Sequence, residues 1–152
     1  MKRNTIATTL TIAAAATLAL AIAPTAKAQG IGCSTASLIG TYAYTVTGTG
    51  VSAPILGPYA EAGMQTFDGK GGTTSAGMAS ANGNIMPTSS TGTYTVNPDC
   101  TGTFILPIAP GIAAHYFFAL ADSGFQAVCL DPVAVITRSG RRQFPLGEWR
   151  GL

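Results

Sequence analysis

His115 is the only histidine, so acid–base chemistry near neutral pH rests on it or on a carboxylate with a displaced pKa. It stands in Ala113-Ala114-His115-Tyr116-Phe117-Phe118. The bland reading there is a hydrogen-bonded core residue, and the chemical reading is a general base. Six acids accompany it: Glu61, Asp68, Asp99, Asp122, Asp131 and Glu148. Four are aspartates in turn sequences, where capping of backbone N–H groups accounts for them. Glu61 keeps strand spacing with Gly63, Gln65 and Phe67, so it is the acid expected to point inward and the second catalytic candidate. One histidine and scattered acids make no recognisable zinc set, and no metal is expected. No Gly-x-Ser-x-Gly elbow supports a Ser-His-Asp hydrolase. Gly48-Thr49-Gly50 and Gly69-Lys70-Gly71-Gly72 read as hairpin glycines rather than a phosphate loop, so no cofactor is implied. Arg138, Arg141 and Arg142 form the basic cluster, read as a solvated edge with one arginine capping the barrel's end, or as an anion site.

Strands must position these residues. In Leu38–Thr47, Leu38, Gly40, Tyr42, Tyr44 and Val46 fall on one face and Thr41, Ala43, Thr45 and Thr47 on the other, a period of two. Turn sequences such as Asp68-Gly69, Asn82-Gly83, Asn97-Pro98-Asp99, Pro110-Gly111, Asp122-Ser123-Gly124, Asp131-Pro132 and Ser139-Gly140 cut the rest into runs near 59–67, 72–81, 85–96, 100–106, 112–121, 125–130 and 133–138. Eight short strands in hairpin succession predict an all-β antiparallel up-and-down barrel, because closure removes both edges. A β-sandwich is the alternative. Helix is confined to at most one short piece in a loop. The repeated Gly40-Thr41-Tyr42, Gly92-Thr93-Tyr94 and Gly102-Thr103-Phe104 each put a glycine and a ring on one face, letting the ring lie across a neighbouring strand.

Alternating strand direction sorts the cysteines. If the first strand runs upward, Cys33 and the turns after strands two, four and six lie at the lower end, and Cys100 with them. Cys129 closes strand seven and belongs near the top, so the expected bond is Cys33–Cys100 with Cys129 as a small core hydrophobe. By the same count two apolar connections, Gly48 to Pro58 and Pro107 to Ile112, meet at the upper end. They could line a pocket mouth, shield a closed core or contact a protein.

Only 9% of the chain is charged, against 47% hydrophobic, which excludes a disordered polyelectrolyte and a phosphate-neutralising nucleic-acid binder. Residues 1–28 read as a signal peptide: Lys2 and Arg3, an uncharged run from Ile6 to Ile22, Pro24, then Ala26-Lys27-Ala28. An uncleaved anchor and lipidation at Cys33 are the competing readings. Loss of Lys2, Arg3 and Lys27 leaves five basic and six acidic residues, so the formal +2 becomes −1. The expected organisation is a leader at 1–28, a barrel at 29–143 and a tail at 144–152, secreted or periplasmic, with no membrane span after cleavage.

The runs Cys33-x4-Leu38-x-Gly40-Thr41-Tyr42-x-Tyr44, Phe67-Asp68-Gly69-x-Gly71 and Gly92-Thr93-Tyr94-x-Val96-x-x-Asp99-Cys100-x-Gly102-Thr103 resemble a family of small exported bacterial proteins of unassigned function. The resemblance implies export and contains both Cys33 and Cys100. Gly40-x-Tyr42 with Arg138 is also similar to the Gly-x-Trp and basic-residue pairing of calycin-type barrels, the lipocalins and avidins, and the chain resembles the allene oxide cyclase type. Three functions are open. The first is a barrel binding a small apolar ligand with Tyr42, Tyr44, Tyr94, Phe104, His115 and Phe117 inside. The second is a solid structural or surface-interaction module. The third is an isomerase- or cyclase-like enzyme using His115 or Glu61.

Overall fold

The structure, a computed structural model, describes residues 32–53 and 55–143. The leader and the tail therefore lie outside the described residues. A single 3-10 turn, Thr35–Leu38, precedes eight strands: β1 Gly40–Ser52, β2 Ile55–Phe67, β3 Gly72–Ala81, β4 Asn84–Val96, β5 Thr101–Ala109, β6 Ile112–Ala121, β7 Gly124–Cys129 and β8 Ala134–Arg142. Each pairs antiparallel with the next, and β8 pairs with β1, closing an up-and-down barrel. The expected barrel is observed and the sandwich is not.

The turns follow from their residues. Between β3 and β4, Asn82 and Gly83 both take positive φ (49° and 87°), the geometry that a two-residue hairpin requires and that Asn-Gly adopts cheaply. Asp68 accepts the backbone N–H groups of Lys70 and Gly72, and Asp99 accepts the N–H and hydroxyl of Thr101. These two turn aspartates cap their turns as the sequence predicts.

The apolar stretch Gly48 to Pro58 is not a long loop. β1 runs on to Ser52 and β2 starts at Ile55, with Gly48 paired to Tyr59 and Gly50 to Gly57. A Cβ on Gly50 would sit 1.7 Å from the Ile55 carbonyl oxygen, so the glycine is an inward-facing strand residue at a close crossing. Pro107 to Ile112 is likewise strand, with a bulge between Pro107 and Ala109 before the turn at Pro110-Gly111.

Period-two burial runs through the wall. The lower interior is solid with rings: Tyr42 meets Phe67 edge-on at 5.5 Å, Phe67 meets Tyr94 at 5.0 Å, and Phe125 contacts Tyr42, Phe67, Phe104 and Phe118. Glycines make room for the rings. A Cβ on Gly102 would lie 2.4 Å from Phe118, and one on Gly140 2.2 Å from Phe125. Leu38, 1% exposed, packs against this cluster from the N-terminal side, and is part of the 3-10 turn rather than of β1. Tyr94 donates its hydroxyl to the Thr35 carbonyl, and Cys33 is bonded to Cys100, as expected, which fixes that turn to the lower end. Cys129 is free.

Outside, hydroxyl pairs replace charges. Thr41–Thr66, Thr45–Ser139, Thr47–Thr137 and Thr95–Thr103 hydrogen-bond across neighbouring strands.

Candidate functional site

The inward side chains shrink with height. From lower to upper end β1 presents Tyr42, Tyr44, Val46, Gly48 and Gly50, and β6 presents Phe118, Tyr116 and Ala114. β7 presents Phe125, Ala127 and Cys129, and β8 Arg138, Ile136 and Ala134. The strands stay paired as the filling thins, and the upper half encloses a cavity of about 460 Å³. Apolar side chains line its wall and rim, among them Ile55, Met86, Leu106, Ile108, Ile112 and Ile136. Met86, Ile108 and Ile112 are exposed where it meets the upper end. The two apolar segments noted in the sequence do meet there, as strand ends.

The floor is polar. Glu61 lies on the inner face of β2 as its spacing predicts. Its Oε1 accepts the Tyr44 hydroxyl at 2.5 Å and the Thr88 hydroxyl at 2.7 Å, and its Oε2 accepts the Tyr59 hydroxyl at 2.8 Å. Three donors on a partly buried carboxylate hold it in one orientation. The Tyr44 side chain extends as far as β3, where a Cβ on Gly77 would stand 2.7 Å from the tyrosine oxygen. Burial and then the Glu61 carboxylate push the Tyr44 hydroxyl up to about 12. Burial pushes Tyr116 up to about 12 against the opposing charge of Arg138, and burial with Glu61 also raises Tyr59.

Arg138 is 3% exposed and borders the same floor. Its guanidinium carbon lies 3.7 Å from the Tyr44 ring centroid, with Phe104 and Tyr116 at 5.8 and 6.0 Å. Cation–π attraction compensates part of the charge's lost hydration. Nε and Nη2 are buried without a hydrogen-bond partner.

The three arginines of β8 separate completely. Arg138 points in, Arg141 is exposed on the outer face, and Arg142 donates to the Tyr42 hydroxyl (2.8 Å) and the Ser37 carbonyl at the lower end. Tyr42 is thus held by Arg142, and Arg138 lies against Tyr44.

Of the residues expected to hold a ligand, Tyr42, Tyr94 and Phe104 are inside but belong to the packed lower core, and Tyr44 lies beneath the floor. None lines the cavity. His115 and Phe117 are misassigned: both face outward, because Tyr116 and Phe118 take the alternate inner positions. His115 is instead paired at the rim. Its Nδ1 lies 2.8 Å from Asp131 Oδ1, and its backbone N–H donates to Oδ2 at 2.7 Å. A carboxylate only accepts, so Nδ1 carries the proton. Burial works against ionisation of Asp131, but the His115 and Cys129 donors outweigh it and hold the carboxyl below its usual range. Cys129, raised by burial, borders the cavity beside Asp131.

The residues that sequence reading missed are Tyr59, Tyr116 and Thr88, with Arg138 placed in the wrong setting. Their signal is parity counted from Tyr44 around the register. No cluster of metal-binding side chains and no helix long and apolar enough to cross a membrane occurs among the described residues. No protein-family model, curated protein or solved structure matches the chain.

Proposed function

We propose that this barrel binds a small, predominantly apolar molecule in its upper half. The observation carrying this reading is the division of one interior into an aromatic plug and an unfilled, apolar-walled cavity of about 460 Å³ over a polar floor. That volume falls within the range of small-ligand sites, and a few polar groups beneath an apolar wall are their usual composition. Export is part of the same proposal: the Cys33–Cys100 bond is of a kind that persists in oxidising compartments.

Ala114 faces the cavity from β6, and Ala114→Phe tests the reading. The wild type is expected to take up an uncharged apolar fluorophore such as N-phenylnaphthylamine, and the folded variant to lose that uptake. Native mass spectrometry of protein from its own host should show a small-molecule adduct. No uptake by the wild type together with no adduct would leave the solid-module reading in place.

One observation favours a second reading, an isomerase- or cyclase-like enzyme. Glu61, fixed by three hydroxyl donors, borders the cavity where a bound molecule's proton could be exchanged. His115, on the outer face, takes no part in it.

A further inference from the structure

We propose that the cavity selects ligands carrying an acceptor oxygen, a carbonyl or a carboxylate, at the end that enters first, and that Arg138 receives it. The inference rests on the ligand-binding reading above and adds the chemistry of the ligand's deep end.

Arg138 is the deepest residue that β8 contributes to the cavity, two positions below Ile136 and four below Ala134. A buried guanidinium ordinarily has a carboxylate or a set of carbonyls at its edge, because unmet N–H donors in a low-dielectric interior are costly. Here the only contact of a basic side chain with a carboxylate among the described residues is His115 with Asp131, and Nε and Nη2 of Arg138 have no partner. The Tyr116 hydroxyl interacts with the guanidinium, but the aromatic contacts supply no acceptor to Nε or Nη2. The Tyr44 ring engages the guanidinium through its π face, 3.7 Å from centroid to carbon, and leaves N–H groups at the edge unbonded.

Glu61 is committed elsewhere. Its oxygens are taken up by Tyr44, Thr88 and Tyr59, and it lies beyond ion-pair distance of Arg138. The floor therefore holds donors in want of an acceptor next to an acceptor already served. An oxygen at the head of an otherwise apolar molecule completes that arrangement, once the guanidinium turns toward the cavity it borders. A hydrocarbon end leaves the donors unmet, and an ammonium end meets a like charge.

The test uses four probes with the same nine-carbon body: nonanoate, 2-nonanone, nonane and nonylammonium, titrated by displacement of N-phenylnaphthylamine from the wild type and from Arg138→Met. Expected for the wild type is at least ten-fold tighter binding of nonanoate, the ketone or both than of nonane and nonylammonium. That preference should vanish in Arg138→Met while nonane binding is retained. The ratio of nonanoate to ketone tells whether the acceptor is anionic or neutral. Equal binding of all four by the wild type overturns the role of Arg138 and leaves the cavity reading standing. Failure of every probe and of the fluorophore takes down both. If Arg138→Met does not fold, the wild-type ranking decides, with the Arg138 Nε–H resonance expected to shift on adding the preferred probe and to stay in place on adding nonane.

Discussion

Removing the Cys33–Cys100 bond, by the double substitution Cys33→Ser with Cys100→Ser, tests how the lower end is held. The two residues are 67 positions apart. Closing a loop of that length removes about 4 kcal/mol worth of freedom from the unfolded chain in the entropy model. At about 4 °C or more of melting temperature per kcal/mol for a domain near this size, the variant should melt on the order of 15 °C below the wild type. The loss also has an address. The bond pins the Thr35–Leu38 turn, whose Leu38 is buried on the aromatic plug and whose Thr35 carbonyl accepts the Tyr94 hydroxyl. Hydrogen exchange at the Ser37 and Ile39 amides should therefore accelerate more than at β7, which hydrogen-bonds to neither cysteine. Circular dichroism melts of both proteins, with Cys129→Ser as a control expected to match the wild type, give the comparison. A double variant melting within about 5 °C of the wild type would contradict the loop-closure account and would mean that ring packing alone holds that end.

Gly140→Ala puts a Cβ 2.2 Å from Phe125, a ring in contact with four others, and should cost about 1–3 kcal/mol in urea denaturation. Glu61→Gln replaces one acceptor oxygen with an NH2 group, so one of the Tyr44, Tyr59 or Thr88 donors loses its partner; a loss of about 1–3 kcal/mol in the same assay is expected. Tyr44 and Tyr116 sit near 12 when folded and 10.0 when free, so the folded state keeps their protons longer. Their stabilisation is complete below pH 10 and lost as pH climbs through 12, which tyrosinate absorbance and unfolding should report together. The Asp131 carboxyl is held below its free value of 3.8, so its contribution is complete above that pH and lost as pH falls through the lower folded value. Asp131→Asn should lower the melting temperature at neutral pH and flatten its decline in acid.

The barrel was legible because its strands announce themselves by period and its turns by Asn-Gly, Asp-Gly and Pro-Gly chemistry. Strand direction then placed Cys33 beside Cys100 with no knowledge of contacts. Gly48 to Pro58 misled because three glycines and two prolines read as loop. In the fold Gly48 and Gly50 are inward strand residues at close approach to Val135 and Ile55. His115 misled for a different reason: in Tyr116-Phe117-Phe118 both parities carry rings, so hydrophobicity cannot tell inside from outside. The register settles it, since Phe104 pairs with Tyr116 and Ile105 with His115. Glu61 was legible because its parity partners Gln65 and Phe67 leave no such ambiguity, and both are fully buried.

Sorting residues by face says which point inward, but whether a barrel is solid or hollow depends on their volume at each height. Tyr42, Phe67, Tyr94, Phe118 and Phe125 overfill one level so thoroughly that glycines must stand opposite them, while Ala81, Ala114 and Ala134 cannot fill the next. A sealed apolar void of about 460 Å³, at about 24 cal/mol per Å³, would cost on the order of 10 kcal/mol, as much as a whole domain's stability. The chain tolerates the space because it reaches the upper rim and carries Glu61, Thr88 and Arg138 on its floor. The aromatic plug and its disulfide therefore supply the stability, and the upper half is free to stay underfilled. If that division holds, Ala114→Phe should leave the melting temperature unchanged or raised while it blocks uptake, a combination that a merely disrupted barrel cannot produce.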